Sequence, residues 1–179
     1  ARVGVAYPLS KKIAVEAGVR FVTINMFETV FDEITWDIHG SRPFSPISCY
    51  KDLVGPMFDH AYASLLEDLH DRGLLKNTMV VACGEFGRTP KINPAGGRDH
   101  WPQCWSILMG GGPLKGGTIV GASDEIGAYP KDRPTTPAEV AATVYRGLGI
   151  DLHTELPGAQ GRPIPIVERG VEPIKELFA

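Results

Sequence analysis

With 179 residues, the chain holds the material of one domain or a large piece of one. Hydrophobic residues make up 43% and charged residues 22%, a globular balance with enough apolar material for a core. A net charge of -3 gives no basis for a nucleic-acid or acidic-membrane partner, and no apolar run reaches the roughly 20 residues that span a bilayer.

In chain order, Leu9 to Ala17 has a short helical pattern, with Gly18 as its stop. Val19 to Asn25, VRFVTIN, is β-branched and apolar and predicts a buried strand. A polar, aromatic stretch containing WDIHG follows. From about Tyr50 to Arg72, Leu53, Met57, Ala61, Leu65, Leu66 and Leu69 recur at helical spacing, and Gly73 ends the run. Thr78 to Cys83, TMVVAC, predicts a second, central strand. Gly84 to Gln103 is a loop rich in Gly, Pro and charge, long enough to be either functional or disordered.

Cys104 to Met109 predicts a third strand and Thr118 to Gly121 a fourth, with the tight connection GGGPLKGG between them. Thr136, Pro137 and Glu139 supply an N-cap, an N1 proline and a capping-box acid for a helix to about Leu148. The remaining residues, rich in proline, predict an irregular wrap with one short strand. Strands alternating with helices predict an α/β domain over residues 1–179, with a mostly parallel sheet and helices on both faces.

Cys49, Cys83 and Cys104 are an odd, widely spaced set without a CxxC pair, which predicts buried thiols rather than disulfides or a metal cage. The sequence starts at Ala1 with neither an initiator Met nor a signal peptide, which leaves the compartment open.

Sites in open α/β sheets lie beyond the carboxyl ends of the strands. Three polar clusters fall where that rule points: Asp37 and His39 in WDIHG, Glu85 and Arg88 in GEFGRTP, and Asp99 and His100 in GGRDHW. Asp-x-His in extended chain sends both side chains to one side, which suits two ligands on one divalent ion. Taken singly, each cluster also reads as solvated loop, and Glu85 with Arg88 as an ion pair holding its loop. Together they predict Asp37, His39, His100, Glu85 and Asp99 as metal ligands. Nitrogen and oxygen donors without thiolate suit zinc, manganese, magnesium or calcium. Two such ions could clamp an ester oxygen and a nucleophile, with Glu85 and Arg88 as the catalytic pair and Arg88 gripping a phosphate or sulfate in a bidentate fork.

Other motifs read more plainly. GGGPLKGGT lacks a GK[ST] and reads as a turn. His60 and His70 lie on the long helix and read as solvated or half-buried. His153 falls near the C-terminal wrap, where nothing requires a functional role. Asp124, Tyr129 and Arg133 read as loop anchors or a structural ion pair. Trp36, Trp101 and Trp105 either wall the site or fill the core.

The run VVACGEFGRTPKINPAGGRDHWPQCWSILMGGG, with WDIHG upstream and GAYPKDRPTTPAEVAATVYRGLGID downstream, resembles an uncharacterised bacterial sulfatase-like family (domain of unknown function 1501) of the alkaline phosphatase superfamily. The resemblance covers nearly the whole chain. It implies an alkaline-phosphatase-like fold of which this chain is the C-terminal part. By position, Glu85-Phe86-Gly87 looks like the Asp-His-Gly element of phosphopentomutase-like relatives, and Asp99-His100 like their later Asp-His. Asp37 and His39 would complete one metal site, while Phe86 leaves a second site altered. Superfamily enzymes carry an aspartate and a nucleophile early in the domain; nothing before Asp37 matches, so the resemblance implies a missing N-terminal portion. It further implies a small anionic ester substrate and possible export. The reading for the intact protein is a metal-dependent hydrolase of phosphate or sulfate esters. The alternative is a catalytically lapsed binding or structural domain.

Overall fold

The structure, a computed structural model, describes residues 20–27 and 34–178. The helix expected at Leu9 to Ala17 lies outside the described residues. Helix α1 runs Gly55–Asp71, preceded by a π-helical turn at Tyr50–Val54. Strands β1 (Met79–Ala82), β2 (Gly87–Arg88), β3 (His100–Trp101), β4 (Leu108–Gly111), β5 (Ala122–Ser123) and β6 (Pro130–Asp132) follow, then helix α2 (Pro137–Gly147) and strands β7 (Glu155–Leu156) and β8 (Ile164–Pro165).

The expected α/β architecture, a mostly parallel sheet covered on both faces, does not form. Among the described residues the strands make four two-stranded sheets, β1 with β4, β2 with β3, β5 with β6 and β7 with β8. The longest, β1 with β4, is antiparallel, with Met79 opposite Gly111 and Ala82 opposite Leu108. The alkaline-phosphatase-like fold is therefore overturned. The physical reason lies in the connections. A parallel pair needs a crossover, usually helical, and the Gly- and Pro-rich segment between β1 and β4 has no helical turn to supply one. Residues 20–25, expected as a buried strand, form no ladder and are mostly exposed. The third strand begins later than expected, at Leu108, and Thr118 to Gly121 is irregular.

The chain divides into two compact units, one comprising the described residues up to Asp68 with Arg88–His100, the other Leu69–Gly87 with the described residues from Trp101 onward. In the first, Val54 is fully buried, and Phe58, Tyr62, Leu65 and Leu66 are half-buried along α1. Leu53 and Met57, expected on the buried stripe, are 41% and 49% exposed. Ala61, Leu65 and Leu66 are half-buried and Leu69 is buried, as the spacing predicts, so the departure is confined to the start of the stripe, at and just after the π-helical turn Tyr50–Val54, which closes wider than an α-turn.

In the second unit, α1 ends where Gly73 adopts φ +68; its N–H reaches the His70 carbonyl and that of Leu74 the Leu69 carbonyl, both at 2.8 Å. Helix α2 starts as its caps predict. The Thr136 hydroxyl accepts from the Glu139 N–H (3.2 Å), and the Glu139 carboxylate accepts from the Thr136 N–H (2.8 Å). Thr143 and Ala142 are fully buried on this helix, and the Thr143 hydroxyl accepts the Ile174 N–H at 2.9 Å, which fastens the C-terminal wrap. Arg133, at φ +43, donates through Nε and Nη2 to both oxygens of Glu176 and through Nη1 to Glu139. Asp124 accepts from the Ala128 N–H at 2.7 Å, so it and Arg133 anchor loops.

The cysteines are free but not buried as expected: Cys49 and Cys104 are half-buried, and Cys83 is exposed. Each adjoins a loop or a short ladder instead of lying within a thick sheet. His60 and His70 are both exposed. Among the described residues, no helix is long and apolar enough to cross a membrane.

Candidate metal centre

The first unit brings WDIHG and GGRDHW together through backbone pairing. The Arg98 N–H donates to the Ile38 carbonyl at 2.8 Å, and the Ile47 N–H to that of Gly96 at 3.1 Å. Ile38 is 1% exposed, so the alternation of an extended segment turns Asp37 and His39 to the opposite side. The approach is close. A Cβ on Gly97 would strike backbone atoms of Ile38, His39 and Gly40, and one on Gly40 the backbone of Ala95. Only residues without side chains let the two segments lie this near.

Chain reversal after His39 is held by hydrogen bonds from the Gly40 N–H to the Ser45 carbonyl (3.0 Å) and from the Ser45 N–H to the Asp37 carbonyl (3.1 Å). Before it, the buried Thr35 hydroxyl accepts from the Asp37 N–H at 3.1 Å. The second loop, Arg88 to His100, is closed by the Thr89 N–H on the Asp99 carbonyl (3.0 Å) and the Asp99 N–H on the Thr89 hydroxyl (3.1 Å).

Asp37, His39 and His100 converge. Each offers one ligand atom, and these atoms all lie within 4.8 Å of one another. His39 Nδ1 contacts Asp37 Oδ1 directly, and the His39 and His100 ring centroids are 4.7 Å apart. The Phe44 ring lies 5.1 Å from that of His39 and limits the imidazole's rotation. His100 is exposed, while Asp37 and His39 are half-buried, so the group opens to solvent on the His100 side. Ligand atoms on one tetrahedral zinc stand roughly 3.5 Å apart, given metal–ligand bonds of about 2.1 Å. The 4.8 Å limit on the group exceeds that spacing by little more than about an ångström, which makes the three atoms candidates for one ion. The donor set, two imidazoles and one carboxylate, fits a divalent ion such as zinc or manganese.

Arg88 lies beside this group. Its Nη1 stands 4.0 Å from Asp37 Oδ1 and donates to the Arg98 carbonyl at 3.3 Å; its Nη2 donates to the Trp36 carbonyl at 3.2 Å. The Tyr50 hydroxyl donates to the same Trp36 carbonyl at 2.6 Å. Burial pushes the Tyr50 phenol above its ordinary value, and the Asp37 charge adds to the rise, outweighing the opposing pull of Arg88. The Trp36 ring meets Phe27, Tyr50 and Phe58 edge-on, at centroid distances of 5.4 to 6.4 Å, and so walls this side.

The group of three does not include the other two predicted ligands. Asp99 is exposed, and its Oδ1 accepts from Asn93 Nδ2 at 2.9 Å. Glu85 is exposed at a bend of the other unit, between β1 and β2. Trp101, also in that unit, donates to the Ala128 carbonyl at 2.6 Å and meets the Tyr129 ring at 5.7 Å. Trp105 is half-buried in irregular chain.

Asn93 belongs to none of the three polar clusters, yet it ties two of them together. Its side chain makes four hydrogen bonds, to the N–H groups of Ala95 and Gly97, to the His39 carbonyl and to Asp99. The available signal was the run Asn-Pro-Ala-Gly-Gly, in which an asparagine before Pro and Gly marks a side-chain-closed turn.

No curated protein and no solved structure matches this chain. The family described as "Protein of unknown function (DUF1501)" matches it over residues 6–178. The match spans WDIHG, GEFGRTP and GGRDHW in one alignment and covers nearly every residue, and on that ground the chain belongs to this family.

Proposed function

We propose that the protein is a metal-dependent hydrolase of phosphate or sulfate esters whose ion is held by Asp37, His39 and His100. The observation that supports the reading is the convergence of these three ligand atoms, within 4.8 Å of one another, at a solvent-open edge. A divalent ion held there would supply Lewis-acid polarisation of an ester oxygen. The chain's own residues do the rest. The Asp37 carboxylate and the two imidazoles hold the centre, and Ile38, buried between two ligands, keeps both on one face. Arg88 places positive charge beside Asp37, where it would attract an anionic ester group. Phe44 and Trp36 border the group with aromatic surface.

A second reading is a metal-binding module without turnover. The observation that favours it is that both terminal nitrogens of Arg88 already donate to backbone carbonyls. One experiment separates the two. Protein purified without chelator is analysed for metal and assayed on p-nitrophenyl phosphate and p-nitrophenyl sulfate, beside His100→Ala. The hydrolase reading expects metal and turnover in the wild type and loss of both in the variant. Metal with no turnover on either ester selects the module. Unchanged metal content in His100→Ala sinks the three-ligand centre.

A further inference from the structure

We propose that Asn93 is the positioning residue of the Asp37, His39 and His100 centre, an inference that rests on the metal-centre reading above. Its primary amide acts in two directions. Oδ1 accepts from the N–H groups of Ala95 and Gly97, each at 3.0 Å, and so closes the turn from 93 to 97. Nδ2 donates to the His39 carbonyl at 3.1 Å and to Asp99 Oδ1 at 2.9 Å. An amide offers two donors and an acceptor with two lone pairs, and here all are engaged.

The acceptor half serves the turn, and the donor half serves the centre. His39 lies 54 residues before Asn93 in the chain, yet one NH2 group ties its backbone to the residue next to His100. Two ligands carried by separate segments are thereby held in register by a single side chain. The same bond holds the Asp99 carboxylate on the amide, and the three-ligand group does not include it. Groups that orient metal ligands from outside usually cost about 10–100-fold in metal affinity when removed.

The two halves can be separated by mutation. Asn93→Asp keeps an oxygen for the Ala95 and Gly97 N–H groups but sets a second oxygen against the His39 carbonyl and the Asp99 carboxylate. Asn93→Ser keeps a hydroxyl acceptor for the turn, lacks the NH2 group and carries no charge, so it covers the case in which Asn93→Asp does not fold. Zn2+ is titrated into the metal-stripped full chain by calorimetry, and the visible absorption of the Co2+ form is recorded. The expected result is a Kd for Zn2+ raised about tenfold or more in both variants, with an altered Co2+ band and unchanged far-ultraviolet circular dichroism. A folded variant with a Kd within about twofold of wild type and an unchanged Co2+ band overturns the inference, since the loss expected is about tenfold. That result leaves the centre standing. Loss of the fold in both variants also overturns it, because Asn93 then serves the fold and not the centre. A wild-type chain that takes up no Zn2+ removes the centre, and this inference with it.

Discussion

Replacing Thr143 by valine removes one oxygen from the interior of the second unit and leaves the side-chain shape nearly unchanged. Thr143 is 0% exposed on α2; its hydroxyl donates to the Glu139 carbonyl at 2.7 Å and accepts the Ile174 N–H at 2.9 Å. The Glu139 carbonyl keeps the Thr143 backbone N–H that a helix supplies four residues on. Ile174 has no such reserve: it is 4% exposed, and its N–H is left without an acceptor. Stranding a buried donor costs about 1–3 kcal/mol, so Thr143→Val is expected to destabilise the protein by about 2 kcal/mol. For a chain of this size that corresponds to a fall in Tm of roughly 4–8 °C. The assay is urea unfolding of both proteins, with amide hydrogen exchange at Ile174 as the local readout. Thr143→Ser, which keeps the hydroxyl, should keep the slow exchange at Ile174 that Thr143→Val loses. A Thr143→Val protein within about 0.5 kcal/mol of wild type, the range of an ordinary surface change, would refute the assignment of this bond as the fastening of the C-terminal wrap.

Two further outcomes follow from the geometry. Gly97→Ala places a methyl group against the backbone of Ile38, His39 and Gly40, so the two ligand-bearing segments must separate. We expect a loss of about 1–3 kcal/mol from overpacking together with weakened Zn2+ uptake; wild-type values in both melting and Zn2+ titration would refute the close approach. The Arg133 clamp predicts an acid-dependent loss of stability. Burial raises the Glu139 carboxyl, but the Thr136 N–H and Arg133 outweigh it and hold it below its ordinary value, while the Arg133 hydrogen bond does the same for Glu176. For acids depressed in the folded state, the stabilisation is present above the ordinary glutamate range, about pH 4.3, and is lost as pH falls through the lower folded values. The stability gap between wild type and Arg133→Met should therefore be wide at neutral pH and shrink in strong acid; urea melts showing an equal gap at both would refute it.

What could be read before any coordinates were those features whose partners lie within a few residues. Thr136, Pro137 and Glu139 begin α2 because a capping box closes between positions three apart. Gly73 ends the long helix because the left-handed turn there is open to glycine at no steric cost. Within TMVVAC, Met79–Ala82 form a strand because Val80 and Val81 suit a pleated backbone, although with β4 as its single partner among the described residues it is not the central strand expected. The pairing of Asp37 with His39 belongs to the same class, since extended chain alternates sides by itself. GEFGRTP and GGRDHW, on which the family resemblance rests, both fall inside the family match over residues 6–178.

The features that were misjudged, or not seen, depend on contacts between distant residues. An apolar run announces a strand but not its partner's direction, and β1 meets β4 antiparallel from Met79–Gly111 to Ala82–Leu108. The start of the buried stripe falls on Val54 and Phe58 and not on Leu53 and Met57, beside a π-helical turn that no apolar spacing encodes, while Ala61, Leu65, Leu66 and Leu69 sit where the spacing put them. His100 joins Asp37 and His39, and Asp99 beside it accepts from Asn93. Side-chain chemistry marks all five as possible ligands equally well. Which of them can share an ion depends on how Gly97 lets one backbone lie against another, a contact across some sixty residues that no local pattern specifies.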